Sequence, residues 1–239
     1  MIVEFTGCTS AGKSWIVDRI KSHLVQEVPH FISAYDFVLS WYHVRGITNS
    51  PRLKSLLVDL LLIPWSVTSA VRYRGFLLYS IKRLGVVSLP IYFKLNILRN
   101  LLKTLALFQF IRSRCDQEVI CILDEGPVHS LNNVFVHYGV KFDSEIIVHL
   151  LKSIPFSDLI VLVTASPETI ANRALKRHDT PWRNLTKSRW IALAYNADSL
   201  FNLIKVNIEH STKIAVVPNN GDRSETELAI RKVMDLLKK

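Results

Sequence analysis

The chain is poor in sulfur, with three cysteines and two methionines among 239 residues. Cys8, Cys115 and Cys121 are odd in number and lack metal-ligand spacing, which argues against a disulfide scaffold or a zinc finger. They fit reduced thiols in a cytoplasmic protein. Long apolar runs are also missing, although 49% of residues are hydrophobic and the mean hydropathy is +0.21. No stretch reaches the roughly 18 uninterrupted apolar residues of a spanning helix. The densest, LLVDLLLIPW (56–65), is broken by Asp59 and Pro64 and reads as a buried or interfacial helix. No basic region followed by an apolar one opens the chain, so no secretory signal is expected. Internal repeats, low-complexity tracts and linkers are absent from the sequence.

Acid is short in one place. Arg52 to Arg114 holds eleven Lys or Arg against a single acid, Asp59, whereas the rest of the chain balances nineteen basic residues with nineteen acidic. The whole net charge of +10 therefore lies in one apolar segment. Composition divides the protein into a neutral frame and a basic module.

The frame alternates strands and helices, the pattern of a parallel sheet covered by helices. Strands are predicted at IVEFT (2–6), HFISAYD (30–36), EVICILDEG (118–126), DLIVLVTAS (158–166) and TKIAVVPNNGD (212–222). A helix is predicted over Lys13 to Glu27, with Ile16, Val17, Ile20 and Leu24 on one face. Another follows Ser166 as cap with Pro167 in its first turn. A third starts at SETE (224–227), a capping-box pattern. Pro51, Pro64, Gly75, Gly85 and Pro90 divide the basic module into short helices. The expectation is one α/β domain over 1–239 with a parallel sheet of about five strands, a three-layer P-loop NTPase fold. A helical insertion is expected at about 50–114.

Residues 7–14, GCTSAGKS, match G-x-x-x-x-G-K-[ST] between a buried strand and an amphipathic helix. Gly7 and Gly12 let the backbone turn its N–H groups inward on phosphate oxygens, and the helix N-terminus adds its dipole. Gly7, Cys8, Thr9, Ser10, Ala11, Gly12, Lys13 and Ser14 are thus the predicted nucleotide-binding loop. Lys13 is assigned to the terminal phosphates and Ser14 to Mg²⁺. Cys8 is read as a small tolerated side chain, with a thiol activated by the helix terminus as the alternative. Asp124 and Glu125 end the third strand, beside the loop. Asp124 is the second predicted metal contact, and Glu125 orients a water or an acceptor hydroxyl. Asp36, after the second strand, is a further candidate for holding or deprotonating the acceptor. His129 lies just beyond and is read as structural.

GCTSAGKS, DEGP and SIPFSDLIVLVTASPETIANRALKR (153–177) together resemble the nucleotide- and nucleoside-kinase group of P-loop proteins, thymidylate kinases above all. The shared phrasing is Pro155, Asp158, LIVLV, Pro167, Glu168, Arg173 and Arg177. The resemblance implies that Arg173, Arg177 and Arg183 belong to a lid at about 173–186, closing over the triphosphate. It also implies that VVPNNGD borders the adenine, with Asn219 and Asn220 at its core. The Asp-Arg-Tyr that follows the third strand in that family is Asp124-Glu125-Gly126 here, and the basic insertion matches nothing in it.

The function expected is transfer of the γ-phosphate of Mg·ATP to a small acceptor: a nucleoside, a nucleotide or another hydroxyl compound. The alternative is a P-loop ATPase or GTPase acting as a switch or partner-binding protein, although no guanine-reading Asn-Lys-x-Asp is present. Three roles are open for 52–114. In order, these are an acceptor pocket walled by Trp65, Tyr73, Phe76, Tyr79, Tyr92 and Phe93, contact with an anionic membrane, and contact with nucleic-acid phosphates.

Overall fold

A computed structural model describes residues 1–27, 31–47, 50–116, 118–177, 185–208 and 210–238. Five strands, β1 (Ile2–Thr6), β2 (Phe31–Ser33), β3 (Ile120–Leu123), β4 (Leu159–Thr164) and β5 (Lys213–Pro218), form one sheet in the order β2-β3-β1-β4-β5. Every pairing is parallel. Parallel neighbours require crossovers, and helices supply them on both faces. The result is a three-layer α/β P-loop fold, as the strand pattern predicts.

Period-two alternation divides the core. Val3, Phe5, Ile120 and Ile122 enter the larger cluster, while Ile2, Cys121 and Leu123 enter a smaller one. The larger is filled by α1 (Lys13–Glu27), α7 (Pro127–Phe135), α8 (Ser144–Leu151), α9 (Pro167–Leu175), α10 (Lys187–Ile208) and α11 (Arg223–Leu237). The smaller is closed by α2 (Ala34–Trp41) with α3 (Pro51–Leu61), α4 (Ile63–Arg72) and α6 (Ile91–Arg114), and α5 (Arg74–Val86) packs on the larger.

Several boundaries depart from expectation for local reasons. The second strand stops at Ser33 because that residue caps α2: its Oγ accepts from the Asp36 N–H at 3.2 Å. Asp36 accordingly sits in the first turn of a helix and not at a strand end. Asp222, rather than Ser224, caps α11, its carboxylate accepting from the N–H groups of Ser224 and Glu225. Ser166 caps α9 through the Thr169 N–H, and Pro167 takes the first turn, as predicted. The basic module does break at its prolines, but α6 runs for 24 residues, because nothing between Ile91 and Arg114 interrupts it. The strand-and-helix reading omitted α2, α7, α8 and α10.

Candidate active site

The bend between β1 and α1 stands at the carboxyl edge of the sheet, where open α/β folds bind ligands. Gly7, Ser10 and Gly12 take positive φ of 143°, 68° and 96°. At Gly12 the requirement is spatial as well, since a Cβ would lie 2.2 Å from the Asn219 Nδ2. Two distant elements grip the middle of the bend. The Ala11 carbonyl accepts from the Asn219 Nδ2 at 2.8 Å and from the Arg173 Nη1 at 3.1 Å, and the Arg173 Nη2 donates to the Asn219 Oδ1 at 3.4 Å. The Asn220 Oδ1 accepts from the Ser166 N–H at 2.6 Å. Both asparagines therefore brace the loops at the ends of β4 and β5.

Lys13 opens α1. Its ammonium donates to the Gly7 carbonyl at 3.2 Å and lies 4.0 Å from the Glu125 Oε1. Burial lowers its pKa, and Glu125 counters that. Cys8 is also buried, and burial pushes its thiol up to about 12 against the pull of Lys13. Desolvation thus works against the activated-thiol alternative. Thr9 and Cys8 line a separate cavity of about 250 Å³ with Phe93 and Asn132.

Beyond β3, Glu125 is held by a chain of groups. The buried His129 Nε2 is 3.1 Å from the Glu125 Oε1, and its Nδ1 is 3.4 Å from the Thr6 Oγ1. Burial lowers the histidine's pKa while the Glu125 carboxylate beside it works the other way, and the ring bridges Thr6 and Glu125. His129, Lys13 and Arg177 together hold the Glu125 carboxyl down at about 2. It is ionised throughout the physiological range. Asp124 is 3.7 Å from the Lys21 Nζ.

Glu4, in the middle of β1, is fully buried and absent from the predicted site. Its carboxyl accepts from the His129 N–H at 2.8 Å and the Ser157 Oγ at 3.3 Å, and burial raises its pKa to about 8. An acid inside a run as apolar as IVEFT was the available signal.

A cavity of about 500 Å³ opens beside the acidic turn, lined by Tyr35, Asp36, Lys54, Arg99, Lys103 and the Asp124–Glu125 pair among others. The Asp36 carboxylate is 3.2 Å from the Lys54 Nζ and accepts from the Ser33 Oγ at 2.8 Å. Asp59 binds both Arg99 and Lys103. The basic module does supply cations to this cavity. Its predicted aromatic walls do not line it: Tyr73 and Phe76 are buried in the core, Trp65 packs edge-on against Phe110, and Tyr79 stacks on Phe135.

The structure thus gathers Lys13, Glu125, Asn219 and Arg173 around the bend, with Asp36 and Asp124 on the adjoining cavity. Arg177 lies just past the end of α9 and not on its face, and its charge acts on Lys13 and Glu125. Arg183 and half of the predicted lid, residues 178–184, lie outside the described residues.

Comparison with known proteins adds little to this geometry. No family model and no curated protein matches the chain. Solved structures that it resembles include kinases. Deoxyadenosine kinase from M. mycoides with bound dATP is 12% identical, covering 98% of this chain and 100% of that one, at a TM-score of 0.49. Shikimate kinase from Bacteroides thetaiotaomicron is 10% identical over 100% and 99% of the two chains, with a TM-score of 0.43. Thymidylate kinase from Ehrlichia chaffeensis gives 15%, 99%, 98% and 0.42. Likenesses of that degree carry no argument about activity, which rests on the residues themselves.

Ser14 and Asp124 are oxygen donors of the hard type that Mg²⁺ selects. Ser14 is exposed at the first turn of α1 and its hydroxyl makes no hydrogen bond among the described residues. The Asp124 side chain is 66% exposed. The pair fits an ion that keeps several waters and takes one or two protein oxygens.

Proposed function

We propose that the protein is an ATP-dependent phosphotransferase that moves a γ-phosphoryl group to a small hydroxyl acceptor. The observation that carries this reading is the position of Lys13, between the Gly7 carbonyl and Glu125, the latter lining a cavity of about 500 Å³. Donor phosphates would lie in the bend against its amides and the Lys13 ammonium. Ser14 and Asp124 would hold Mg²⁺, which would supply positive charge to offset that of the phosphates. Arg173, already at the bend, supplies a planar fork to the equatorial oxygens.

Glu125 orients the acceptor. With its pKa near 2 it is a weak base. A loose transition state asks mainly for alignment, because the hydroxyl proton leaves late. The Thr6–His129 chain fixes the direction of the carboxylate. Asp36, Tyr35 and the cations of α3 and α6 bind the remainder of the acceptor. Their signs are mixed, which suits a polar acceptor such as a nucleoside or nucleotide.

Incubation with γ-labelled ATP and a pool of nucleosides, nucleotides and other hydroxyl metabolites tests the reading. Label should move to a new compound, and Lys13→Ala should reduce transfer by at least about a thousandfold with the far-UV spectrum unchanged. Label released only as free phosphate would establish the hydrolase instead. Undiminished transfer by the variant would remove Lys13 from the chemistry.

A further inference from the structure

The acceptor cavity uses one side of the basic module. Leu53, Leu56 and Leu60 lie three or four residues apart on α3, and Ile63, Val67 and Val71 do so on α4, one apolar stripe on each helix. These side chains are between 42% and 69% exposed. Leu78, Ile81, Val86, Ile91, Tyr92 and Leu95 of the same module are exposed as well. Scattered surface leucines need no explanation, but an exposed apolar stripe on each of two consecutive helices does.

Charge identifies the occupant. Arg52, Arg72, Arg74 and Lys82 are exposed around these helices, and none forms an ion pair among the described residues. The module's one acid, Asp59, is engaged by Arg99 and Lys103. A second copy of the chain would bring this patch onto itself, cation against cation. No single helix among the described residues is long and apolar enough to cross a membrane; α3 and α4 pass that test only as a pair, bent by 61°. Val58, Leu62 and Ser69 on their inner side are buried against the protein, so the pair is held to the body and turns one face outward. We propose that this face docks on an anionic phospholipid bilayer, with the aliphatic stripes entering the headgroup boundary and the arginines meeting lipid phosphates. Exposed apolar side chains beside exposed cations that no carboxylate neutralises among the described residues are what peripheral attachment needs, and Arg72, 5.7 Å over the Tyr73 ring, keeps its charge there.

The test is co-sedimentation of the full chain with vesicles of phosphatidylcholine alone or with about one-third phosphatidylserine. Binding should need the anionic lipid and fall steeply with added salt. Leu60→Gln/Ile63→Gln/Val67→Gln should weaken it about tenfold or more without changing the far-UV spectrum or Tm. Equal binding to both vesicles, no binding to either, or an unaffected triple variant would overturn the proposal. So would attachment that survives alkaline extraction, since that marks a span. A dimer in sedimentation velocity that the triple variant dissociates would make the stripes an interface between copies instead.

Discussion

Replacing Glu4 by Gln exposes the cost of a carboxyl in the central strand. In the folded protein that carboxyl titrates at about 8, against 4.5 in the open. Between those values the native state keeps a proton that the unfolded chain has released, so stability falls as pH rises. Each pH unit of separation is worth roughly 1.4 kcal/mol. The window from 4.5 to 8 therefore totals on the order of 5 kcal/mol as an upper bound, with backbone N–H groups at Gly126, Val128 and His129 already working against burial. Glutamine matches the neutral acid in shape and does not titrate. Urea unfolding followed by circular dichroism from pH 5 to pH 9 should show wild type losing stability relative to Glu4→Gln across the range, with the two closest at the acid end. Parallel curves would refute the argument, because they would mean that Glu4 folds as an anion held by those N–H groups.

Two further outcomes follow from contacts already described. Arg173→Ala should lower kcat by on the order of a hundredfold or more, and Arg173→Lys should not restore it, since an ammonium cannot reach the Ala11 carbonyl and Asn219 together. Steady-state phosphotransfer assays of both variants check this. Phe110 is buried on α6 with ring contacts to Phe37, Trp41, Tyr42 and Trp65, and Phe110→Ala should cost about 3–5 kcal/mol in urea unfolding.

The sequence displayed the donor side far better than the acceptor side. The phosphate bend is local: eight consecutive residues carry the glycines, lysine and hydroxyl, so a motif reveals them. Asp124 and Glu125 were legible because a β-branched run ends on them. The fold followed from five apolar strands separated by helix-length segments. Lys21, Lys54, Arg99 and Lys103 were not legible as one cavity lining, because they come from α1, α3 and α6 and only the fold brings them together. Helix α10 was not legible although Thr186 caps it, its Oγ1 accepting from the Arg189 N–H at 3.4 Å, because its buried positions, from Trp190 to Ile208, are spread over 22 residues. Ser33 and Asp36 form a short cap pattern that a strand reading of HFISAYD obscures. His129 looked structural alone, and only its distances to Thr6 and Glu125 give it a part in orienting the carboxylate.

The ammonium of Lys13 has two neighbours of opposite function, a main-chain oxygen of the bend and the carboxylate turned towards the cavity. Whatever draws that carboxylate outward frees positive charge for the anion behind it, and the reverse holds equally. If the bend holds a nucleotide and Glu125 an acceptor, as proposed, affinities on the two sides are thermodynamically linked through one side chain. Engineering a new acceptor preference near Glu125 would shift nucleotide affinity as well, without touching a residue of the bend.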